Sequence, residues 1–190
     1  NIKYLLELLH TPLSDVAGVI IAKGPGSFNG LRVGMSLAKG LALSLEIPVV
    51  SISTLEMEAY AHSIAGIPVC SIIDQARGEI ATALFSVVEG EWQRLLDERI
   101  TTVEELCAIL PAPVLICGRL RPATMQRLSE LLGERARFVT GAADMRRGGY
   151  LAELGACRLD RGERDDPITL QPLYLRSPYI TTRSQSKKGL

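Results

Sequence analysis

The sequence predicts a mixed α/β protein, because short apolar segments alternate with stretches of helical periodicity. Two buried-strand segments, at 16–22 and 48–52, are each followed by a helical stretch. A glycine-rich loop at 24–30 joins the first strand to its helix, and a strand meander follows over 67–100. These three observations favour strand–helix units combined with an antiparallel meander.

Each further element has its own signal along the chain. Apolar residues at i, i+3, i+4 and i+7 predict an amphipathic helix over 2–9, which Pro12 ends. Thr54 caps a helix over 54–65, and Thr101–Glu104 has the spacing of a capping box. The remaining predicted elements are helices over 31–45, 122–132 and 143–159 and strands over 114–117 and 170–175.

Composition and charge exclude several classes of protein. The 190 residues include 21 basic and 21 acidic side chains, so the net charge of zero disfavours an independent nucleic-acid clamp. No apolar run approaches the ~20 residues of a membrane span, and no signal peptide opens the chain, which predicts a cytoplasmic protein without membrane contact. Four cysteines without a C-x-x-C pair predict reduced thiols.

Side chains that carry catalysis are scarce in this sequence. His10 and His62 lack the spacing of a metal site, so no metal and no catalytic residue are predicted. The best polar cluster is the turn after the first meander strand, which holds Asp74, Arg77 and Glu79. This polar turn is either functional or an ordinary solvated turn.

The glycine loop has the strand–loop–helix geometry that presents backbone N–H groups to an anion. A P-loop is excluded because Gly30 is not followed by lysine and a hydroxyl residue. A nucleophile elbow is excluded because it needs glycines two places before and two places after its serine, where Ser27 has Pro25 and Asn29. A dinucleotide fingerprint lacks its acid at the end of the next strand. A phosphate or anion loop, a dinucleotide loop, which the missing acid disfavours, and a purely structural tight turn all remain. The candidate anion-loop residues are Gly24, Gly26, Ser27, Gly30 and Arg32.

The helix after the loop carries two stripes of small residues. Gly34, Ala38 and Ala42 form one stripe, and the second is offset from it by two positions, or about 200°. We expect one face on the sheet, and the other against a second helix or a partner protein. Together with the first helix this predicts a partner or homodimer surface, whose residues are Leu5, Leu9, Ser36, Lys39, Gly40, Leu43 and Ser44.

The segment Val19–Gly34, which contains Ala22-Lys23-Gly24-Pro25-Gly26-Ser27-Phe28, closely resembles the signature of the TsaB (YeaZ) family. The resemblance continues through Ala38–Ala42 and Ile47–Val49, and more weakly through Asp74–Ile80 and Pro172–Arg176. That family is the actin-like partner protein in bacterial synthesis of threonylcarbamoyladenosine in tRNA.

The resemblance implies an actin-like, ribonuclease-H-like fold of two lobes, with the first strands of the N-terminal lobe absent. The implied lobes are 1–57, with the glycine loop, and 58–190, with the meander and helices. Three positions depart from the family: Asn29 replaces a threonine, the aspartate–alanine–arginine turn has one extra residue over Asp74–Arg77, and Ala81 replaces a tyrosine.

The function implied by the resemblance is that of a non-catalytic scaffold or activating subunit. It would dock on a TsaD-like catalytic threonylcarbamoyl transferase, work with a TsaE-like ATPase subunit, and meet tRNA only through the complex. A homodimer is a further implied assembly. No cofactor is expected, with ATP or ADP at the complex interface as the alternative. The alternative functions are a nucleotide-binding enzyme that uses Gly24–Gly30, or an M22-type glycoprotease-like protein.

Overall fold

A computed structural model describes residues 2–175, which form two β-sheets with helices packed against them. The strands are β1 Val19–Gly24, β2 Val49–Ser53, β3 Val69–Asp74, β4 Ile80–Val88, β5 Glu91–Thr101, β6 Val114–Cys117 and β7 Ala136–Phe138. The helices are α1 Ile2–Leu8, α2 Phe28–Leu45, α3 Thr54–Tyr60, α4 Val103–Ile109, α5 Pro122–Leu132 and α6 Gly148–Asp160. The mixed α/β prediction is therefore confirmed.

The first sheet consists of β1 and β2, which pair in parallel with Val19 opposite Val49. It is covered on both faces, which explains why both strands read as continuous apolar runs. On one face Gly155 of α6 lies against Ile20, and on the other Gly34 of α2 lies against Ile21. Small residues at these two positions let both helices approach the sheet closely.

The second sheet has five strands in the order β5-β4-β3-β6-β7. β3, β4 and β5 are antiparallel, whereas β3, β6 and β7 run in parallel. One core packs sheet residues such as Ile72 and Ile116 against Leu106 of α4 and Leu128 of α5. A second core, around Phe85, includes α3. Because β3, β6 and β7 run in parallel, their carboxyl ends lie at the same end of this sheet.

Several boundaries differ from the sequence prediction. α2 begins at Phe28 rather than at residue 31, so Gly30 lies inside its first turn and not in the loop. The short strand β7 was not predicted, and α6 begins at residue 148 after a 3-10 turn. Residues 170–175 form no strand, since Pro172 has no N–H to donate to a ladder.

Residues 165–175, here called the C-terminal strap, run along the first sheet and α2. The Asp165 N–H donates to Val49 O at 2.9 Å, and its carboxylate accepts a bond from the Ser51 N–H, so Asp165 pairs two backbone groups on the outer edge of β2. Farther along, the Leu173 N–H donates to Lys23 O at 2.7 Å. The strap therefore contacts the first sheet, although the sequence places it in the predicted 58–190 lobe.

The predicted lobe boundary at residue 57 falls within α3, and the division into lobes stays a prediction. The sequence segment 176–190, with Arg176 and the other basic residues of the tail, lies outside the described residues. Within residues 2–175, no helix combines the length and apolarity that crossing a bilayer requires.

Candidate functional site

Large apolar side chains are exposed on α1 and α2, on what is here called the α1–α2 face. No residue of α1 is buried, and Leu5 is 53% exposed and Leu9, just after the helix, 68%. On α2, Leu43 is 54% exposed. The other exposed large apolar residues of the two helices are Ile2, Tyr4, Leu8, Phe28, Val33 and Leu37. Such a concentration is typical of an interaction surface.

A groove of about 1240 Å³ separates the two helices. Its walls are mainly apolar, with Ile2 and Leu6 on one side and Leu37 and Leu41 on the other. α1 is only seven residues long and has no buried side chain, and isolated helices of that length are marginal in water. An apolar partner seated on this face would therefore stabilise α1 as well as bind to it.

The two stripes of α2 differ in burial. Ala38 and Ala42 are buried against the sheet, whereas Ser36, Gly40 and Ser44 are exposed. Among the described residues, no atom would lie within 4 Å of a Cβ added at Gly40. The outward stripe is thus open to a neighbouring backbone, and its role as an interface stays a prediction.

Lys39 has a different environment from the rest of the predicted surface. Its ammonium donates hydrogen bonds to the carbonyl oxygens of Ile168 at 3.0 Å and Leu170 at 3.1 Å. Grouping Lys39 with the docking residues from its sequence position missed these bonds, because the strap lies far along the chain. Lys39 fastens the C-terminal strap to α2.

The glycine loop is shaped by contacts with the rest of the chain. Gly24 has φ +112°, and a Cβ there would lie 2.9 Å from Leu31 Cδ1 and 3.0 Å from Leu173 O. The strap approaches the loop at this point, where the ring centroids of Tyr174 and Phe28 are 5.3 Å apart. A side chain at position 24 would collide with Leu31 and Leu173, and the positive φ favours glycine, so the structural tight-turn alternative accounts for Gly24.

The other residues of the predicted anion loop have different surroundings. Gly26 and Ser27 are exposed, and the Ser27 side chain makes no capping hydrogen bond to α2. Gly30 lies within the helix, and the Arg32 guanidinium is 5.2 Å from the Phe28 ring centroid. The anion site therefore stays a prediction.

Asp74 of the polar turn is engaged with α5. Its carboxylate accepts hydrogen bonds from the Arg121 N–H and, at 2.6 Å, from the Thr124 hydroxyl, and it pairs with the Arg121 guanidinium at 3.1 Å. Burial alone would raise the pKa of Asp74, but these hydrogen bonds outweigh it and lower that pKa. Arg77 occupies the same turn with φ 62°. Asp74 thus ties β3 to the start of α5.

A buried carboxylate that the sequence analysis did not single out lies at Glu58 of α3. Glu58 is 8% exposed, accepts a 3.2 Å hydrogen bond from the Ser71 hydroxyl, and forms an ion pair with Arg146. Burial raises the pKa of Glu58, against the influence of Arg146 and Ser71. The signal in the sequence was an acidic residue between the apolar Met57 and Ala59. Its bonds hold the segment before α6 against α3.

Among residues 2–175, no group of three or more His, Cys, Asp or Glu side chains is placed to hold a metal ion.

Burial raises the pKa of the Cys70 thiol to about 12. Burial also raises the pKa of Cys117 well above its ordinary value, so both thiols are protonated at neutral pH.

Comparison with known proteins shows where this architecture recurs. Residues 1–121 match the family model described as TsaD, tRNA N6-adenosine threonylcarbamoyltransferase. The protein TsaB of Bacillus subtilis (strain 168) is 32% identical over 166 residues, which cover 85% of this chain and 70% of that protein. The chain belongs to the TsaB family. Another TsaB relative, from Escherichia coli (strain K12), is 35% identical over 91 residues, which cover 46% of this chain and 39% of that protein.

Other matches extend the same relationship. A tRNA N6-adenosine threonylcarbamoyltransferase of Syntrophus aciditrophicus (strain SB) is 43% identical over 58 residues, 29% of this chain and 17% of that enzyme. The solved structure of YeaZ from Pseudomonas aeruginosa superimposes with a TM-score of 0.75 at 23% identity, covering 90% of this chain and 80% of that one. The actin-like fold implied by the TsaB resemblance is therefore confirmed.

Proposed function

We propose that this chain is a non-catalytic subunit in tRNA threonylcarbamoyladenosine biosynthesis, and that it docks on a TsaD-type threonylcarbamoyltransferase through its α1–α2 face. The family relationship gives the process, since the relatives named TsaB carry tRNA threonylcarbamoyladenosine biosynthesis in their names. The observation that carries the docking proposal is the concentration of exposed apolar side chains on α1 and α2. tRNA would be met through the complex, in the cytoplasm.

The state of the carboxylates supports a non-catalytic role. Asp74 is held by Arg121 and Thr124, and Glu58 is held by Arg146 and Ser71. Carboxylates engaged in this way connect elements of the fold, whereas a general acid or base must be able to exchange a proton with a substrate. Both groups act as structural connectors in this proposal.

The proposal includes no required cofactor, and its alternative is ATP or ADP bound where the two subunits meet. A TsaE-like ATPase would join the same complex, and a homodimer through the α1–α2 face would compete with docking because both use one surface. The nucleotide-binding enzyme proposed as an alternative would need an accessible glycine loop. Leu173 O lies close to Gly24 in that loop, which argues against it.

The test is co-elution of the purified chain with the TsaD-type transferase from the same organism, followed by light scattering of the mixture. A stable complex whose formation is abolished by Leu5→Asp supports the proposal, because an exposed leucine can be replaced without loss of folding. A chain that remains monomeric beside the transferase, or a complex insensitive to Leu5→Asp, would overturn docking through this face.

A further inference from the structure

A second groove, of about 610 Å³, lies between the first sheet and the β4–β5 hairpin, and no residue of α1 or α2 lines it. It is lined by the end of β1, the first turns of α3, the hairpin and the last turns of α6. A cavity of this volume is in the range of small-molecule sites. The residues that matter for its chemistry are Lys23, Glu56, Tyr60, Trp92, Arg94 and Arg158.

Most of the cations in this groove are already paired. Arg158 lies 2.7 Å from Glu163 and also donates to Ser51 O, and Arg161 lies 3.0 Å from Glu91. Arg94 pairs with Glu98 at 2.8 Å. The Lys23 ammonium, by contrast, makes neither a hydrogen bond nor an ion pair within residues 2–175. The Lys23 ammonium is therefore available to bind an anionic ligand in this groove.

Glu56 marks the place where the positive charges of the groove converge. Its side chain is 19% exposed and lies 3.7 Å from Arg94. Burial raises the pKa of Glu56, while Arg94, Arg158 and Lys23 each act to lower it. A carboxylate of the chain itself therefore occupies the positive field that an anionic ligand would use.

Aromatic rings form the apolar part of the groove. The Trp92 ring stacks on Phe85 with centroids 5.5 Å apart, and Tyr60 meets Trp92 edge-on, also at 5.5 Å. The Tyr60 hydroxyl donates to Glu153 at 2.7 Å, which fixes its ring. Within residues 2–175 the buried Trp92 indole N–H has no acceptor. Rigid rings beside an unpaired cation suit a flat apolar body that carries an oxyanion.

We propose that this groove is a ligand site that binds a small aromatic oxyanion, with the anionic group on Lys23 and the ring against Trp92 and Tyr60. The oxyanion is a phosphate or a carboxylate, which share the same charge-assisted recognition by an ammonium. Glu56 competes with the ligand for Lys23. The site is separate from the docking face, so its occupation does not depend on the proposed subunit role.

The test uses Cys157, which lines the groove and is the exposed one of the four cysteines. Alkylation of the full chain by the neutral reagent N-ethylmaleimide is followed by mass, with Cys157→Ser confirming the site of modification. Benzoate and phenyl phosphate are the two probes, and inorganic phosphate shows whether the ring is needed. A probe at ten times its Kd should slow alkylation about tenfold.

The variants separate the proposal from nonspecific protection. Lys23→Met should weaken probe binding about tenfold or more, Lys23→Arg should keep it, and Glu56→Gln should strengthen it because the internal competitor is gone. Equal protection in wild type and Lys23→Met would overturn the proposal. So would the absence of protection by either probe at about 10 mM, or equal protection by inorganic phosphate. Co-elution with the transferase should be the same for Lys23→Met and wild type.

Discussion

The Lys39 ammonium lies 3.0 Å from the carbonyl oxygen of Ile168, and this hydrogen bond fastens the C-terminal strap to α2. The same ammonium donates a second hydrogen bond, to Leu170 O at 3.1 Å, so Lys39 holds the strap at two points. Farther along the strap, Leu173 reaches the glycine loop and satisfies Lys23 O. The last described residues of the chain thus complete the surroundings of a loop near its beginning.

Lys39→Met should therefore loosen the strap, because methionine keeps the apolar stem and removes the ammonium. We expect a loss of about 1–2 kcal/mol in the free energy of unfolding and faster hydrogen exchange of the Leu173 amide. The control is Lys3→Met, since within residues 2–175 Lys3 has only an exposed 3.8 Å pair with Glu7, and its loss should change stability by less than about 0.5 kcal/mol. Unchanged exchange at Leu173 would contradict the role given to Lys39.

Gly40→Leu should weaken association with the transferase and leave folding intact. The position is open to solvent, but a leucine there would keep a partner helix from approaching. Overpacking of this kind costs about 1–3 kcal/mol, or roughly tenfold and more in affinity. Titration of the complex and a melting curve measure the two effects.

The matched variant is Gly34→Leu, on the opposite stripe of α2. A Cβ at Gly34 already lies 3.6 Å from Ile21 Cδ1, so the further carbons of a leucine would press on the Ile21 side chain and should lower stability by about 1–3 kcal/mol. If Gly40→Leu unfolds the protein or leaves the affinity unchanged, the outward stripe is not the docking surface.

Asp74 should make stability depend on acid pH. Its pKa is lowered in the folded state, so its contribution is fully present above the unfolded pKa of about 4 and is lost as the pH falls through the folded pKa. Asp74→Asn should therefore destabilise the protein at pH 7, by about 1–3 kcal/mol, and progressively less below pH 4. Urea unfolding of both proteins from pH 7 to pH 3 measures this. A difference that stays constant with pH would show that ionisation of Asp74 contributes nothing.

Gly155→Ala should lower stability by about 1–3 kcal/mol, because the new Cβ would clash with the Ile20 side chain in the packing of α6 on β1. Gly149→Ala in the same helix has open space and should be neutral or stabilising by up to about 1 kcal/mol. Thermal unfolding of the two variants compares them directly. Equal effects would mean that α6 does not approach the sheet as closely as Gly155 permits.

Local patterns in the sequence predicted most elements correctly, since each depends on neighbours a few residues away. The apolar runs of β1 and β2 are examples. The capping box of α4 was predicted one residue too early, over Thr101–Glu104, whereas the structure forms it with Thr102 and Glu105, because each threonine has a glutamate three residues later. The strand β7 was missed because three residues carry too little periodicity to be recognised.

The candidate surface was predicted from the same periodicity. The 200° offset between the two stripes of α2 is a property of the helix itself, and the burial of Ala38 and Ala42 agrees with it. The partners of the charged residues could not be predicted in this way. Glu58 and Arg146 are 88 residues apart, and no local pattern relates them.

The sequence by itself determined the mixed α/β architecture, the glycine loop between β1 and α2, and the open stripe of α2, because hydrophobic periodicity and backbone conformation act locally. Only the tertiary structure decided that Lys39 holds the strap, that the Asp74 carboxylate accepts hydrogen bonds from the start of α5, and that the absence of a side chain at Gly24 lets Leu173 approach. Each of these depends on which distant segments the packing of the two sheets brings together. Lys39 and Ile168 are 129 residues apart, and they meet because Asp165 anchors the strap along the outer edge of β2.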